Sequence, residues 1–126
     1  MQNRETQRKG DIALAKAIFL FTEMHYDVLL PITESAEYDL VVDTPEGLRK
    51  VQVKSCSTKS VDLRKIHSNS QGYVIKTYTE NAYDWLFVYN PTDSKCYLSR
   101  EFITTKHKSL SCMEEIGTVV VSVSKD

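Results

Sequence analysis

One stretch, residues 38–54, constrains the fold of this chain more than any other, because two apolar-rich segments there flank the turn sequence Thr-Pro-Glu-Gly. Proline at the second position of a turn and glycine at the fourth are typical of a type I turn, so the stretch predicts a β-hairpin. If the turn occupies residues 44–47, the register of the two strands places Asp39 directly opposite Gln52.

Side chains alternate along a strand, so the predicted hairpin has two chemically different faces. One face is aliphatic and predicts a core surface; it carries Leu40, Val42, Val51 and Val53. The other face is polar and brings Asp39, Gln52 and Lys54 into one patch. A polar strand face is usually a solvated surface. A carboxylate, an amide oxygen and a lysine are also the groups that Mg²⁺-assisted phosphodiester hydrolysis uses, and both interpretations stand at this point.

The order of Asp39 followed by Gln52-Val53-Lys54 resembles the signature of PD-(D/E)XK nucleases. In the cyanobacterial group I intron homing endonuclease branch of that family, Gln replaces the second acid. The neighbouring segments 9–13, 28–31, 38–43 and 83–89 are similar to that branch too, and the resemblance covers roughly residues 8 to 100.

The resemblance implies a restriction-endonuclease-like core and a sequence-specific DNA endonuclease that uses Mg²⁺. Carried over residue by residue, it makes Asp39, Gln52 and Lys54 the catalytic candidates. The metal ligands it implies are Asp39, Gln52 and the backbone carbonyl of Val53.

One position departs from the branch. Its first helix carries a Glu that points at the metal, in a motif like Lys-Gly-Asp-Ile-Ala-Glu, and this chain has Leu14 there. Either another acid substitutes, for which Asp11 and Glu34 are the candidates, or cleavage has been lost. Four functions therefore remain open: an intron homing endonuclease, a DNA-binding relative with impaired cleavage, a Holliday-junction-resolvase-like structure-specific nuclease, and an interaction module that does not bind nucleic acid.

Charge bears on this choice only mildly. The formal net charge is −1, which does not advertise a nucleic-acid-binding protein. Basic residues are nevertheless concentrated between Lys50 and Lys76, where Asp62 is the only acid, and two lysines follow later at Lys106 and Lys108. We expect double-stranded DNA to contact the first group, and we expect a homo-oligomer, because one near-neutral subunit offers few phosphate contacts. That first group is Lys50, Lys59, Arg64, Lys65, His67 and Lys76.

The 126 residues, of which 41% are hydrophobic and 26% charged, predict a single globular domain spanning 1–126. The expected fold class is α/β, a mixed central β-sheet flanked by helices. The first helix is expected from about Glu5 to Met24, with apolar residues at helical spacing at Ile12, Ala15 and Phe19 and, on the neighbouring stripe, Ile18 and Phe21. A second, short helix is expected at 99–106. Strands are expected at 26–30, 73–78, 84–89, 95–98 and 117–123, whereas 61–66 fits either a strand end or a turn.

Three cysteines without metal-ligand spacing predict reduced thiols, a cytoplasmic location and no structural zinc. No apolar run approaches the length of a membrane span.

Overall fold

The computed structural model describes residues 4–63, 65–69, 72–76 and 81–118, with only the backbone described for the segments 65–69 and 72–76. In chain order the elements are α1 (Arg4–Glu23), β1 (Asp27–Leu29), β2 (Leu40–Thr44), β3 (Gly47–Ser55), β4 (Ser60–Asp62), β5 (Lys65–Asn69), β6 (Gly72–Lys76), β7 (Trp85–Asn90), β8 (Lys95–Ser99), β9 (His107–Ser109), a 3₁₀ turn (Leu110–Cys112) and β10 (Glu114–Thr118).

The centre of the molecule is a six-stranded mixed sheet in the order β1-β2-β3-β7-β8-β10. Only β3 and β7 pair in parallel, and the other neighbours are antiparallel. Two small antiparallel sheets, β4 with β9 and β5 with β6, lie outside it. The expected mixed α/β fold is confirmed.

The hairpin of β2 and β3 has the register that its turn sequence predicts, with Asp43 opposite Leu48 and Leu40 opposite Val51. Gly47 closes the turn at φ +117°, a left-handed conformation that a side chain would strain. The Thr44 hydroxyl donates to the Gly47 carbonyl at 2.8 Å and accepts from the Glu46 N–H at 3.2 Å. Local hydrogen bonds thus hold the turn, and the turn sets the register in which the two strands pair.

Helix α1 covers one face of the sheet with the second of its two expected apolar stripes. Ile12, Ala15 and Phe19 are exposed, whereas Phe21 is buried and Ile18 is half-buried against the same core. The buried side also includes Ala13, Ala17 and Leu20, which were not expected there. Two alanines on the buried side let the helix backbone approach the sheet closely, and the Phe21 ring fills the space beside Phe87 at a centroid distance of 5.7 Å.

Strand β7 is buried along its whole length, from Trp85 to Asn90, so the predicted central strand covered on both faces is confirmed. On the α1 side it packs with Leu40, Val42 and Val51. On the other side Leu86 and Val88 pack with Val61, Leu63 and Leu110, which come from the segments after β3 and β8.

The expected short helix at 99–106 is wrong. Ser99 belongs to β8 and lies opposite Leu86, and its hydroxyl donates to the Glu101 carbonyl at 3.4 Å instead of capping a helix. Pairing with the central strand outweighs a local capping preference. In the described residues one α-helix, α1, flanks the sheet.

Three other segments differ from their expected limits. Residues 61–66 are divided between β4 and β5, and the strand expected at 117–123 begins earlier, as β10, while 119–126 lie outside the described residues. The strand expected at 73–78 is β6, and residues 77–78 are likewise outside them. Among the helices of the described chain, none has the length and apolar character needed to cross a bilayer.

Candidate active site

The hairpin brings Asp39 and Gln52 into direct contact. Asp39 precedes β2 and continues its ladder, because its N–H donates to the Val51 carbonyl at 2.9 Å. The Asp39 Oδ2 atom accepts two hydrogen bonds, from Gln52 Nε2 at 2.8 Å and from the Val53 N–H at 2.7 Å. The carboxylate is therefore held in one orientation by its own hairpin.

The side-chain amide of Gln52 turns its nitrogen, and not its oxygen, toward this carboxylate. Nε2 also lies 3.5 Å from the Val53 carbonyl oxygen. Because a carboxylate and a carbonyl only accept hydrogen bonds, the NH₂ end is the end that must face them. The Asp39 and Val53 oxygens thus converge on one position, and the partly positive amide hydrogens of Gln52 point into it.

This donor set fits a divalent cation. Carboxylate and carbonyl oxygens are the hard ligands that Mg²⁺ prefers, and rotating the terminal amide of Gln52 would add a third oxygen. The set contains a single carboxylate, and among the described residues no group of three or more His, Cys, Asp or Glu side chains could hold a metal. A cation here would therefore rely on the oxygens of a bound phosphate.

Burial and nearby charges oppose each other at Asp39 and Lys54. Burial raises the pKa of Asp39, while the Val53 N–H and the charge of Lys54 act to lower it. Burial lowers the pKa of Lys54, while the charges of Asp39 and Asp62 act to raise it. Lys54 therefore lies within electrostatic reach of two carboxylates, and the group is partly withdrawn from water.

Asp62 is a member of this group that the sequence did not single out. It lies on β4 opposite His107 of β9, and its Oδ2 atom is 4.0 Å from His107 Nε2. In sequence it is one acid among bases. No sequence pattern marked it, because its approach to Lys54 depends on tertiary packing.

Leu14, at the position of the missing helix acid, packs against the α1-side core together with Val53. Leu14 therefore brings an apolar side chain to the face of the sheet that α1 covers. The two alternative acids, Asp11 on α1 and Glu34 in the loop before β2, are both exposed.

The candidate DNA-binding residues are placed unevenly. Lys50 donates to the Asn81 carbonyl at 3.0 Å and lies 5.9 Å from the Tyr38 ring, whereas Lys59 is exposed. On the hairpin of β5 and β6 the backbone pairing sets Lys65 opposite Lys76 and His67 opposite Val74. Arg64 lies outside the described residues.

The described residues form an α/β fold on a mixed sheet, and its central hairpin carries an Asp, a Gln and a Lys in one patch. The PD-(D/E)XK endonuclease family model matches residues 4–117, and the chain belongs to that family. The restriction-endonuclease-like core expected from the sequence is confirmed.

A particular solved structure is also similar, that of the bacterial homing endonuclease I-Ssp6803I. It shares 31% sequence identity and a TM-score of 0.67 with this chain, over 79% of each chain. No protein of curated function matches.

Proposed function

We propose that this chain is a Mg²⁺-dependent, sequence-specific DNA endonuclease of the intron homing kind. The observation that carries the proposal is the convergence of the Asp39 and Val53 oxygens on the amide of Gln52, in a chain of the endonuclease family. Membership in a nuclease family supports phosphodiester hydrolysis, and the similar homing endonuclease supports the narrower assignment.

In this proposal each residue has a separate task. Asp39 and the Val53 carbonyl hold the cation, with Gln52 as a further ligand through its oxygen. When bound, the cation supplies Lewis-acid stabilisation of the phosphate and a more acidic water. Lys54 places an ammonium where negative charge develops on the phosphate, and its partial burial strengthens that interaction.

The test is cleavage of duplex DNA that carries the intron insertion sequence, with Mg²⁺ or with a chelator. We expect cleavage to need the metal, and we expect Asp39→Asn and Lys54→Met each to slow it about a hundredfold or more, a loss of roughly 3 kcal/mol. Asp43→Asn is the matched control, since it makes the same change at an exposed position of the same hairpin. Equal rates for Asp39→Asn and Asp43→Asn would contradict the proposal.

A second candidate function is a DNA-binding relative with impaired cleavage, and the packing of Leu14 against the core favours it. An apolar side chain supplies no metal oxygen and removes a negative charge that would repel DNA phosphate. On this candidate, Leu14→Glu cleaves about a hundredfold faster than the chain as it stands, while binding DNA no more tightly. Equal cleavage rates would exclude position 14 from the site, and Asp11 and Glu34 would be tested next.

A second DNA substrate tests whether the chain recognises a base sequence or a DNA shape. A four-way junction without the insertion sequence is offered beside the duplex. Cleavage of the junction alone would favour the Holliday-junction-resolvase-like alternative, whereas cleavage of the duplex alone would favour homing.

We propose that the DNA backbone lies along the basic residues from Lys50 to Lys76, with Lys106 and Lys108 nearby. The slope of log affinity against log salt is negative, and each lost phosphate contact reduces its magnitude by about 0.9. Replacing Arg64 and Lys65 by Glu should therefore weaken binding and flatten the salt dependence. A flat salt dependence of the unaltered chain would favour the interaction module instead.

We also propose that the chain forms a homo-oligomer. The outer side of α1 exposes Ile12 and Phe19, which are 41% and 52% accessible, and β1 is an edge strand. Light scattering should report a mass above one chain, and Phe19→Glu should lower it. A monomer at working concentration with DNA bound would contradict this.

A further inference from the structure

A cleft opens between the N-terminal half of α1 and the C-terminal end of β3. Its volume is about 400 Å³, and its lining includes Thr6, Lys9, Gly10, Lys54, Ser55 and Ser57. Val53 and Lys54 line one end of this cleft and also belong to the candidate active site, so the cleft continues from that site toward α1.

The groups in the cleft select a negatively charged ligand. Its described lining contains two ammonium groups, of Lys9 and Lys54, and the hydroxyls of Thr6, Ser55 and Ser57, but no carboxylate. Lysines and hydroxyl side chains are the usual partners of backbone phosphate oxygens in protein–DNA contacts. Lys9 is exposed on α1, where its ammonium is accessible to a ligand that enters from solvent.

Gly10 lies on the helix side of this cleft. Glycine inside a helix is unfavourable relative to alanine. An added Cβ at this position would meet nothing within 4 Å, so packing within the described residues does not require the glycine. A larger side chain there would occupy part of the cleft that Gly10 lines.

We propose that this cleft binds a backbone phosphate of the DNA substrate outside the scissile position, with Lys9 as its main cation. The proposal rests on the proposed function, since it takes DNA as the substrate. In this proposal α1 covers the sheet and also binds the DNA strand next to the phosphodiester bond that is cleaved.

The experiment measures binding of a random-sequence duplex by fluorescence anisotropy, across a salt series and without divalent metal. We expect Lys9→Ala to weaken binding and to reduce the magnitude of the salt slope by about 0.9, the value of one phosphate contact. Arg8→Ala is the matched control, because it removes the same charge from the same exposed helix turn but does not line the cleft. Equal slopes for Lys9→Ala, Arg8→Ala and the unaltered chain would overturn the inference.

A second pair of variants tests the space itself. Gly10→Glu places a carboxylate beside Lys9, and we expect it to weaken binding at least tenfold more than Gln7→Glu, which adds the same charge at another exposed position of α1. Circular dichroism checks that each variant keeps its helix. Equal losses for the two variants would also overturn the inference.

Cleavage is assayed separately with Mg²⁺, so the two proposals fail independently. If the chain does not cleave DNA but Lys9→Ala removes one phosphate contact, the inference is supported and the proposed function is contradicted. If the chain cleaves DNA and Lys9→Ala has no effect on binding, the proposed function is supported and the inference is contradicted. Absence of any duplex binding overturns both.

Discussion

At the scale of single residues, the side-chain amide of Gln52 sets the hydrogen bonding of the candidate metal site in its metal-free form. Its NH₂ group points between the Asp39 and Val53 oxygens, the same two atoms that would bind a cation. A cation bound to those two oxygens would therefore have to displace a hydrogen bond of 2.8 Å. The neutral amide orients the carboxylate, and it would compete with a metal for the same oxygens.

Gln52→Glu should bind divalent metal more tightly than the parent chain, by about tenfold or more in the absence of DNA. A second carboxylate cannot donate to Asp39, and the repulsion between the two is relieved when a cation enters. Calorimetry with Mg²⁺ measures the affinity, with Gln7→Glu at an exposed position of α1 as the control that adds the same charge. Side-chain ¹⁵N resonances of Gln52 in the parent should shift as metal is added. Unchanged affinity and unchanged resonances would remove Gln52 from the site.

Cys96 offers a pH-dependent prediction away from the site. Burial raises the pKa of its thiol from 9.0 to about 11. The folded state holds this proton more strongly than the unfolded state, so the stabilisation is complete below pH 9 and is lost as the pH rises toward 11. Between those values the free energy of unfolding should fall by on the order of 2 kcal/mol more in the parent than in Cys96→Ala, as measured by urea unfolding. Parallel pH profiles for the two proteins would contradict this.

At the scale of elements, a side chain provides one of the two hydrogen bonds at the beginning of the parallel ladder between β3 and β7. Asp84 Oδ2 accepts from the Lys50 N–H at 2.8 Å, and the Asp84 N–H donates to the Lys50 carbonyl at the same distance. These two bonds lie just before the first residue of β7. They align the central strand with the strand that carries Gln52 and Lys54.

Asp84→Ala should therefore destabilise the fold by about 1–3 kcal/mol, the cost of leaving a partly buried N–H unpaired. Asp84→Asn keeps an acceptor oxygen in place and should lose less than half as much. Urea unfolding of both variants measures the difference. Equal losses would show that the side chain of Asp84 does not hold the pair together through this bond.

Elements with strong local signals were predictable, and those that depend on distant partners were not. The hairpin register follows from the turn at 44–47, and β7 follows from its continuous apolar sequence. The helix expected at 99–106 failed because Ser99 is taken up by the pairing of β8 with β7. On α1 the neighbouring stripe with Phe21 was predictable, but the buried Ala13 and Ala17 were not, because large apolar side chains dominate a sequence pattern although the small residues permit the close approach.

At the scale of the whole molecule, the same distinction separates the two parts of the site. Asp39, Gln52 and Lys54 lie on one hairpin, so alternation and register bring them together without any knowledge of the rest of the fold. Lys9 of α1 lines the same cleft as Lys54, and Asp62 of β4 lies within electrostatic reach of it, and only tertiary packing places them there. The orientation of the Gln52 amide also had to come from the structure, because it depends on which atoms surround it.

The position of this hairpin within the sheet has a consequence for amide hydrogen exchange. Strand β1 forms one edge of the sheet, whereas β3 has a neighbour on each side. The amide hydrogen of Val53 is bonded to a side chain, the carboxylate of Asp39, at 2.7 Å. Edge amides exchange through local fraying, while the Val53 amide becomes free to exchange when the Asp39 side chain releases it. The exchange rate of the Val53 amide therefore reports the fraction of time in which the Asp39 carboxylate has left this hydrogen bond.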